Sequence, residues 1–530
     1  MSIVLGLHYG HHGSVCVIRD GKLIGAISSE RLSRHKFSHG VTNKDLDYLF
    51  GYLGITHNDI DYIGLSDWNK DFCFHQMEVF QGNEKIDCLW NRVYDNECLE
   101  LDINFRGKNV KGYYIGHQLC HAASAFYTSP FEEAYSFSLD ASGANNKNNS
   151  LIAYGKGKKL TSLHCPGLMI GVAYGYFTEY LGVGHQLFKA GSTMAVAAYG
   201  KVIPRVMDNL DSYVKACFYP DDQDYHQWYL NLWTDLHGSP EVFPWCQFDF
   251  EKGRDIAATI QLLFEQSILH CVRNIGPMTT KNLCLSGGSM LNCVTNSRIL
   301  KETQFRNVHL FPGCGDDGGA VGSALYVAHH ILGEERPEYS DSEICFLGPD
   351  KPMEGDINYG HIARKIAEGK VVAWCNGRAE FGPRALGNRS ILADPRNHDN
   401  RERINSKIKN REWFRPLAPV ILEKELNNWF DFDVKSPFML FTAPVKRPDI
   451  IPEINHMDGS ARIQTVNEET NFHYNRLVEE FNEITGVPIL LNTSFNGNGE
   501  PMVESTQDAV NFFNLGTVDI MVLDGKIHER

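Results

Sequence analysis

Long apolar runs are missing from this chain. Of its 530 residues 43% are hydrophobic, yet no stretch approaches the ~20 consecutive apolar positions of a membrane-crossing helix. Cysteine pairs are missing as well. Fourteen cysteines stand singly inside apolar segments such as SVCVI, NLCLSGG and VVAWCNG, and none forms C-x-x-C. That usage fits buried free thiols in a reducing cytoplasm rather than a disulfide framework. Positive charge is also short. Lys and Arg total 50 against 65 Asp and Glu, for a net charge of −15, which removes any blanket attraction to nucleic acid or membrane. The opening MSIVLGLHYG reads directly as a strand, without the charged n-region of a signal peptide. The expectation is a cytoplasmic globular protein of two or three domains.

What is present is a spread of histidines and acids. His117 and His121 lie in HQLCHAASAF, Asp140 closes the apolar run AYSFSLD, and Asp316 and Asp317 follow in GCGDDGGAVGSAL. Histidines at i and i+4 stand one above the other on a helix face. Joined by carboxylates from strand ends, their ring nitrogens make a mixed N/O site for Fe²⁺, Mn²⁺ or Zn²⁺ with open coordination positions. Adjacent acids do not easily face one point, so Asp316 is taken as the ligand and Asp317 as a loop holder.

The first thirty residues read as strand, strand, Asp20-Gly21 turn, strand. A similar unit returns at residues 135–163, with a polar loop after its first strand and a turn at Gly157-Lys158. Such a duplication is the layout of the actin/Hsp70/sugar-kinase superfold, which clamps nucleotide between its halves. Lys44–Leu53 and Asp255–Ile275 read as amphipathic helices. KNLCLSGGSMLNCVTNSRIL reads as strand, Gly-Gly turn and helix, with a helix N-terminus available to an anion. Residues 201–250 carry Trp228, Trp233 and Trp245 and read as an insertion lining an acceptor pocket or an oligomer interface. A polar connector at 335–358 marks a domain boundary, placing domains at 1–345 and 355–530. The second begins with a helix at Ile357–Glu368.

Although the chain is acidic, cations crowd into a few motifs of this second domain. Arg378, Glu380, Arg384 and Arg389 lie in GRAEFGPRALGNRSIL; Lys407, Lys409, Arg411 and Arg415 in INSKIKNREWFRPLAP; Arg462 in GSARIQTV; Asn492, Ser494 and Asn496 in LLNTSFNGNGEP. Guanidinium groups interleaved with Gly and Pro turns suit a nucleotide or an acyl phosphate.

Taken in order, GLHYGHHGS, SSERLSRHK, HQLCHAASAF, SLDASG, LSGGSMLNCVTN, GDDGGAVGSAL, EFGPRALGNRSIL, IKNREWFRPLAP and LNTSFNGNGEP resemble the O-carbamoyltransferases of the NodU/CmcH type over nearly the whole chain. The resemblance implies an α/β protein. An N-terminal duplicated actin-like domain, similar to the threonylcarbamoyl-transfer proteins, precedes a C-terminal α+β YrdC-like domain. It implies that carbamoyl phosphate and ATP, accompanied by Mg²⁺, give carbamoyl adenylate in the second domain. The first domain then passes the carbamoyl group to an acceptor hydroxyl. Lys409 and Arg415 match positions for carbamoyl phosphate. Arg384 matches an adenylate position with a catalytic role, beside Arg462, Ser494 and Asn496. Gly287, Gly288, Asn292, Ser142 and Gly143 match nucleotide contacts. His117, His121, Asp140 and Asp316 match the metal ligands, with Fe²⁺ as the implied ion. His11 matches a base for the acceptor hydroxyl. His12 stands where an acid is common, so either histidine is open for that role, and Ser192 stands where many members carry lysine. A homodimer is implied; no membrane partner is expected, and nucleic acid stays open as an acceptor. The acceptor is expected to be a hydroxylated small molecule, with a hydroxymethylated pyrimidine in nucleotide or DNA disfavoured by the net charge. The competing reading is an actin-fold kinase or ATPase with a regulatory C-terminal domain, against which the metal histidines argue, since such enzymes hold Mg²⁺ through carboxylates and water.

Overall fold

The computed structural model describes residues 2–67, 98–141, 149–218, 222–237, 249–350 and 355–530. Alternating and continuous apolar runs give three sheets. The first contains β1 (Ile3–His8), β2 (Ser14–Arg19), β3 (Lys22–Ser28), β4 (Tyr62–Ser66), β5 (Cys98–Phe105) and β6 (Lys108–Ile115), in the order β3-β2-β1-β4-β6-β5. The second contains β7 (Glu133–Leu139), β8 (Ser150–Lys156), β9 (Lys159–His164), β10 (Asn282–Ser286) and β11 (Asn307–Leu310), in the order β11-β10-β7-β8-β9. In each, an antiparallel three-strand meander is followed by two strands parallel to its first: β1-β4-β6 in one and β7-β10-β11 in the other. The turn expected at Asp20-Gly21 forms, with φ of 49° and 78°, the positive values that a two-residue hairpin turn of matching twist needs.

The helices that position the site are α1 (His117–Thr128), α2 (Gln186–Ala197), α3 (Asp222–His237), α4 (Phe250–Arg273), α5 (Cys293–Glu302) and α6 (Gly319–Leu325). Every residue of α1 and of α6 is buried. Helix α6 lies on β1, β2 and β4, α1 lies on β7, β8 and β10, and the two helices cross between the sheets. The crossing is tight because α6 is built of small residues, GAVGSAL. A Cβ on Gly322 would sit 1.8 Å from the Cys120 carbonyl oxygen. On the other face of α6, a Cβ on Gly6 would sit 2.1 Å from the Ala320 carbonyl oxygen.

The third sheet holds β12 (Val372–Cys375), β13 (Arg389–Ala393), β14 (Ala418–Leu422), β15 (Phe441–Pro444), β16 (Ser460–Val466), β17 (Ile489–Ser494), β18 (Ile520–Leu523) and β19 (Lys526–Glu529), ordered β15-β16-β14-β17-β13-β12-β18-β19. Helices α7 (Tyr359–Ala367) and α8 (Glu468–Thr485) pack on one another beside it. The parts are stitched together. Asn296 and Ser297 of α5 bond the Leu440 and Thr442 carbonyls. Arg34 donates to the Pro501 and Met502 carbonyls.

The connector at 335–358 is anchored where it is described: the Arg336 guanidinium donates to the carbonyls of Phe126, Ser129, Phe131 and Gly157, and it lies 4.3 Å from the Phe126 ring centroid. One expectation changes: Trp228 and Trp233 do not line a pocket. They are 5% and 0% exposed, Trp233 packs between Tyr180 and His237, and Trp228 Nε1 donates to the Tyr213 carbonyl at 3.1 Å. The rings of Trp228 and Trp233 turn to the inward face of α3. Trp245 lies outside the described residues.

Trp233→Ala is therefore expected to destabilise the fold by about 3–5 kcal/mol and to depress every partial activity together, which thermal unfolding and half-reaction assays on the same sample will check. Gly322→Val is expected to cost at least about 1–3 kcal/mol by overpacking. A variant with unchanged unfolding temperature would refute the tight crossing.

Candidate active site

The two crossing helices carry the acid–histidine cluster. His117 opens α1 directly after its Gly116 N-cap. His121 stands one turn on. Asp140 follows the last residue of β7, and Asp316 lies in the turn leading into α6. His117 Nε2 and His121 Nε2 approach Asp140 Oδ2 at 3.1 and 2.8 Å and Asp316 Oδ1 at 3.6 and 3.5 Å. The two ring nitrogens are 3.2 Å apart. All four residues are buried, and their ligand atoms lie within 4.8 Å of one another.

The surroundings fix this arrangement. Asp140 also accepts from Gln118 Nε2 at 3.0 Å and from the backbone N–H of Gly288. The turn that delivers that N–H needs glycine: Gly287 has φ 89°, and a Cβ there would sit 2.2 Å from the Leu139 carbonyl oxygen. With protons alone to balance the carboxylates, burial works against charge on His121, but Asp140 and Asp316 outweigh it and hold the ring at about 10. Burial alone would raise the two acids; the neighbouring histidines instead keep both below the usual carboxylate range. For metal–ligand bonds of about 2.1 Å, adjacent ligand atoms of a tetrahedron or octahedron stand roughly 3.0–3.5 Å apart. The observed spacings, 2.8 to 3.6 Å, straddle that range, so this donor set fits a divalent ion with small adjustments.

The polar loop after β1 closes one side. The other Asp316 oxygen, Oδ2, meets His11 Nδ1 at 2.9 Å, and His12 Nδ1 lies 2.9 Å from His11 Nδ1. Burial and then the His11 charge push His12 down to about 3. Burial opposes protonation of His11, but Asp316 outweighs it and the ring titrates above its usual value. Asp317 has a different place from Asp316. Its backbone carbonyl accepts from Ser14 Oγ at 2.7 Å, and burial, then Glu30, lifts its carboxyl to about 7.

The second group of predicted residues forms a cationic cluster, termed the cationic pocket for the anion its unpaired charge would take. Arg384, Arg411, Arg415 and Arg462 are half-buried and feel one another's charge. Burial first and Arg462 second push Arg384 down to about 9; burial, then Arg415, does the same to Arg411. Nε of Arg384 and Nε of Arg462 are buried without a hydrogen-bond partner. Unpaired guanidinium groups at such density are costly unless an anion joins them. Arg415 reaches across to Ser192 Oγ of α2, and Lys189 of α2 pairs with Glu412 at 2.7 Å. Lys409 is buried among oxygens: Ser494 Oγ at 3.1 Å, Asn496 Oδ1 at 2.6 Å, and the carbonyls of both residues. Lys409, read with Arg415 as a carbamoyl phosphate contact, instead lies against Ser494 and Asn496, its ammonium bracing the turn after β17.

Not every motif cation faces this pocket. Arg389 is fully buried and donates to the carbonyls of Asn376, Gly377 and Asn388. Arg378 holds the carbonyls of Ile24, Leu347 and Gly348. Asn292 caps α5 through Thr295 N and pairs its amide with Gln261. Ser142 and Gly143 lie outside the described residues. Two contributors escaped sequence reasoning. Gln118 was hidden between the histidines. Glu380 was read with the cations, but its Oε1 gathers the backbone N–H groups of Leu386, Asn388 and Arg389 and so shapes the loop that carries Arg384.

The pocket and the cluster adjoin. The loop 312–317 that ends in Asp316 packs on the loop 381–387 that carries Arg384. A Cβ on Gly382 would lie 2.6 Å from the Pro312 carbonyl oxygen, and one on Gly313 would lie 2.8 Å from the Phe381 ring.

Known proteins agree on what such a chain is. The family described as Carbamoyltransferase N-terminus matches residues 3–325, and that described as Carbamoyltransferase C-terminus matches residues 363–530. Nodulation protein NolNO of Sinorhizobium fredii is 33% identical over 97% of this chain and 78% of its own length. Nodulation protein NolO of Bradyrhizobium diazoefficiens is 34% identical over 77% of this chain and 78% of its own. A 3'-hydroxymethylcephem-O-carbamoyltransferase of Amycolatopsis lactamdurans is 27% identical over 100% of this chain and 99% of its own. With both halves matched in order and a relative 33% identical over 97% of the chain, the chain belongs to the carbamoyltransferase family and is a carbamoyltransferase enzyme.

Proposed function

We propose that the enzyme carries out ATP-dependent O-carbamoylation in two steps at two adjoining sites. The observation that carries this reading is the packing of the Arg384 loop on the Asp316 loop, which puts an anion pocket beside a metal-type donor set. In the first step carbamoyl phosphate loses its phosphate to water, giving carbamate and inorganic phosphate. A carbamate oxygen attacks the α-phosphorus of ATP, with pyrophosphate as leaving group, to give carbamoyl adenylate. Arg411 and Arg415 hold the carbamoyl phosphate, Arg384 and Arg462 neutralise charge growing on the phosphates, and Lys409 keeps Ser494 and Asn496 in place at the pocket wall. A pocket closed by both halves of the chain also keeps carbamate away from bulk water.

In the second step the acceptor hydroxyl attacks the carbamoyl carbon, AMP leaves, and the hydroxyl proton passes to His11 or His12. His117, His121, Asp140 and Asp316 would hold a divalent ion, which when bound would supply Lewis-acid stabilisation of negative charge on a phosphate. Gln118 and the Gly288 N–H keep Asp140 turned toward that position. The shared strand order of the first two sheets supports an actin-like clamp for this half, and the third sheet a YrdC-like adenylate-forming unit. A hydroxymethyl-bearing small molecule is the acceptor class favoured here, in keeping with the cephem relative.

Mixing enzyme, ATP, carbamoyl phosphate and a panel of hydroxylated small molecules is expected to release pyrophosphate, then AMP, and to add one carbamoyl group to an acceptor by mass. ADP with a phosphorylated acceptor would instead establish the kinase reading. Arg415→Ala is expected to slow pyrophosphate release by about 10²-fold or more. His117→Ala should lose bound metal and AMP release while keeping pyrophosphate formation. Equal loss of both half-reactions in a folded His117→Ala protein would remove the division of labour.

A further inference from the structure

We infer that Arg31 is a positioning residue for both half-reactions, tying the loop that carries Arg384 to the loop that carries His11 and His12. The inference rests on the two-step reading and deepens it. Arg31 stands in segment 29–40, which follows β3 and opens with one helical turn, Glu30–Ser33. The residue is only 3% exposed. One end of its guanidinium, Nη2, donates to the Glu380 carbonyl at 3.0 Å. The other, Nη1, faces Glu504 Oε2 at 3.8 Å in an ion pair with both side chains buried. Glu504 also accepts from Tyr48 Oη at 3.4 Å. Glu380 and Glu504 belong to the C-terminal half. Glu380 is the residue whose carboxylate gathers the N–H groups of Leu386, Asn388 and Arg389. Arg31 thus holds the backbone of Glu380, and the Glu380 side chain holds the Arg384 loop. Arg34, one turn on, fastens the same segment to the Pro501 and Met502 carbonyls at 2.9 and 2.7 Å and to Asp508 at 3.6 Å.

The same segment brackets the histidine loop. Ser29 N donates to the Gly13 carbonyl at 2.7 Å, Gly13 N to the Ser38 carbonyl at 2.8 Å, and Gly40 N to the Gly10 carbonyl at 3.2 Å. His11 and His12 lie between Gly10 and Gly13 and are fixed from both sides. A Cβ on Gly13 would sit 1.8 Å from the Gly40 carbonyl oxygen, so loop and segment meet backbone to backbone. The His12 ring stands edge-on to Phe37 at 4.2 Å between centroids, and Glu30 Oε2 accepts from Phe37 N at 2.8 Å. One short segment therefore touches the loop of the acceptor's base and, through Arg31, the loop of the adenylate's arginine. Packing of this density passes displacement on rather than absorbing it. A buried ion pair adds little stability over an apolar pair of the same volume. What Arg31 supplies is direction: its planar fork serves a carbonyl and a carboxylate at once, where a lysine ammonium is a point charge on a flexible stem.

The test is a rapid-quench experiment on the full chain with excess ATP and carbamoyl phosphate and no acceptor. The amplitude of the pyrophosphate burst counts competent enzyme, and its rate reports adenylate formation. Water then takes the acceptor's place: it attacks the carbamoyl carbon, its proton passes to the same histidine base, and AMP leaves beside carbamic acid, which breaks down to carbon dioxide and ammonia. Arg31→Lys is expected to keep the burst amplitude of the unaltered protein and to slow the burst about tenfold or more, the loss that a misplaced reacting group brings. AMP release after the burst is expected to slow as well. Arg31→Met combined with Glu504→Gln removes both buried charges together, which a fold tolerates better than the loss of one, and should repeat both losses. An amplitude that falls while the burst rate holds would mark Arg31 as merely structural and overturn the inference, with the two-step reading intact. A slowed burst with unchanged AMP release would overturn it too, because the tie to the histidine loop would be missing. No pyrophosphate from the unaltered protein would remove the two-step reading and the inference with it.

Discussion

The crossing of two fully buried helices governs this molecule. Helix α1 belongs to the second sheet and α6 to the first; α1 carries both histidines of the acid–histidine cluster, and the turn leading into α6 carries Asp316. Their separation is set by backbone-to-backbone contact at Gly322 and Cys120 rather than by side chains that can rearrange. Interiors at this density transmit displacement instead of absorbing it. The distance from His117 and His121 to Asp316 is therefore a property of the whole N-terminal half, and any motion of one sheet against the other is felt at the cluster.

The cationic pocket is the opposite kind of structure. Its guanidinium groups are close enough to depress one another and have too few carboxylates to balance them. Glu412 is shared with Lys189 from the N-terminal half, and Ser192 takes the end of Arg415. The repulsion has to be contained by the fold. Lys409 clamped among four oxygens, and Glu380 gathering three N–H groups, do part of that work. Such a pocket is destabilising by itself and favourable once an anion enters, which ties the stability of this half to its substrate.

Much of this was legible in the chain because the signals were local. The i, i+4 histidines, the Asp-Gly turn, and the alternation of β1 to β3 each state their geometry within a few residues. The four first-cluster residues lie together, whereas Lys409, read as a carbamoyl phosphate contact, lies on Ser494 and Asn496. What failed to show were effects of direction and burial. Nothing in the sequence near Trp228 and Trp233 reveals which face of their helix turns inward, because the partners Tyr180 and Tyr213 lie upstream. Arg378 and Arg389 look like their neighbour Arg384, yet backbone carbonyls from distant strands consume them. The anchoring of Arg336 was hidden for the same reason: its acceptors are main-chain oxygens, which carry no residue identity.

The packing of loop 312–317 on loop 381–387 has an evolutionary consequence. Each loop is glycine-bearing because the other leaves no room for a side chain. A change on one side can be accepted only with a compensating change on the other. Recombination that swaps the C-terminal half between diverged relatives breaks that match even when both parents are active. A C-terminal half from another chain would fit this seam only if it brought the same small residue opposite the Pro312 carbonyl.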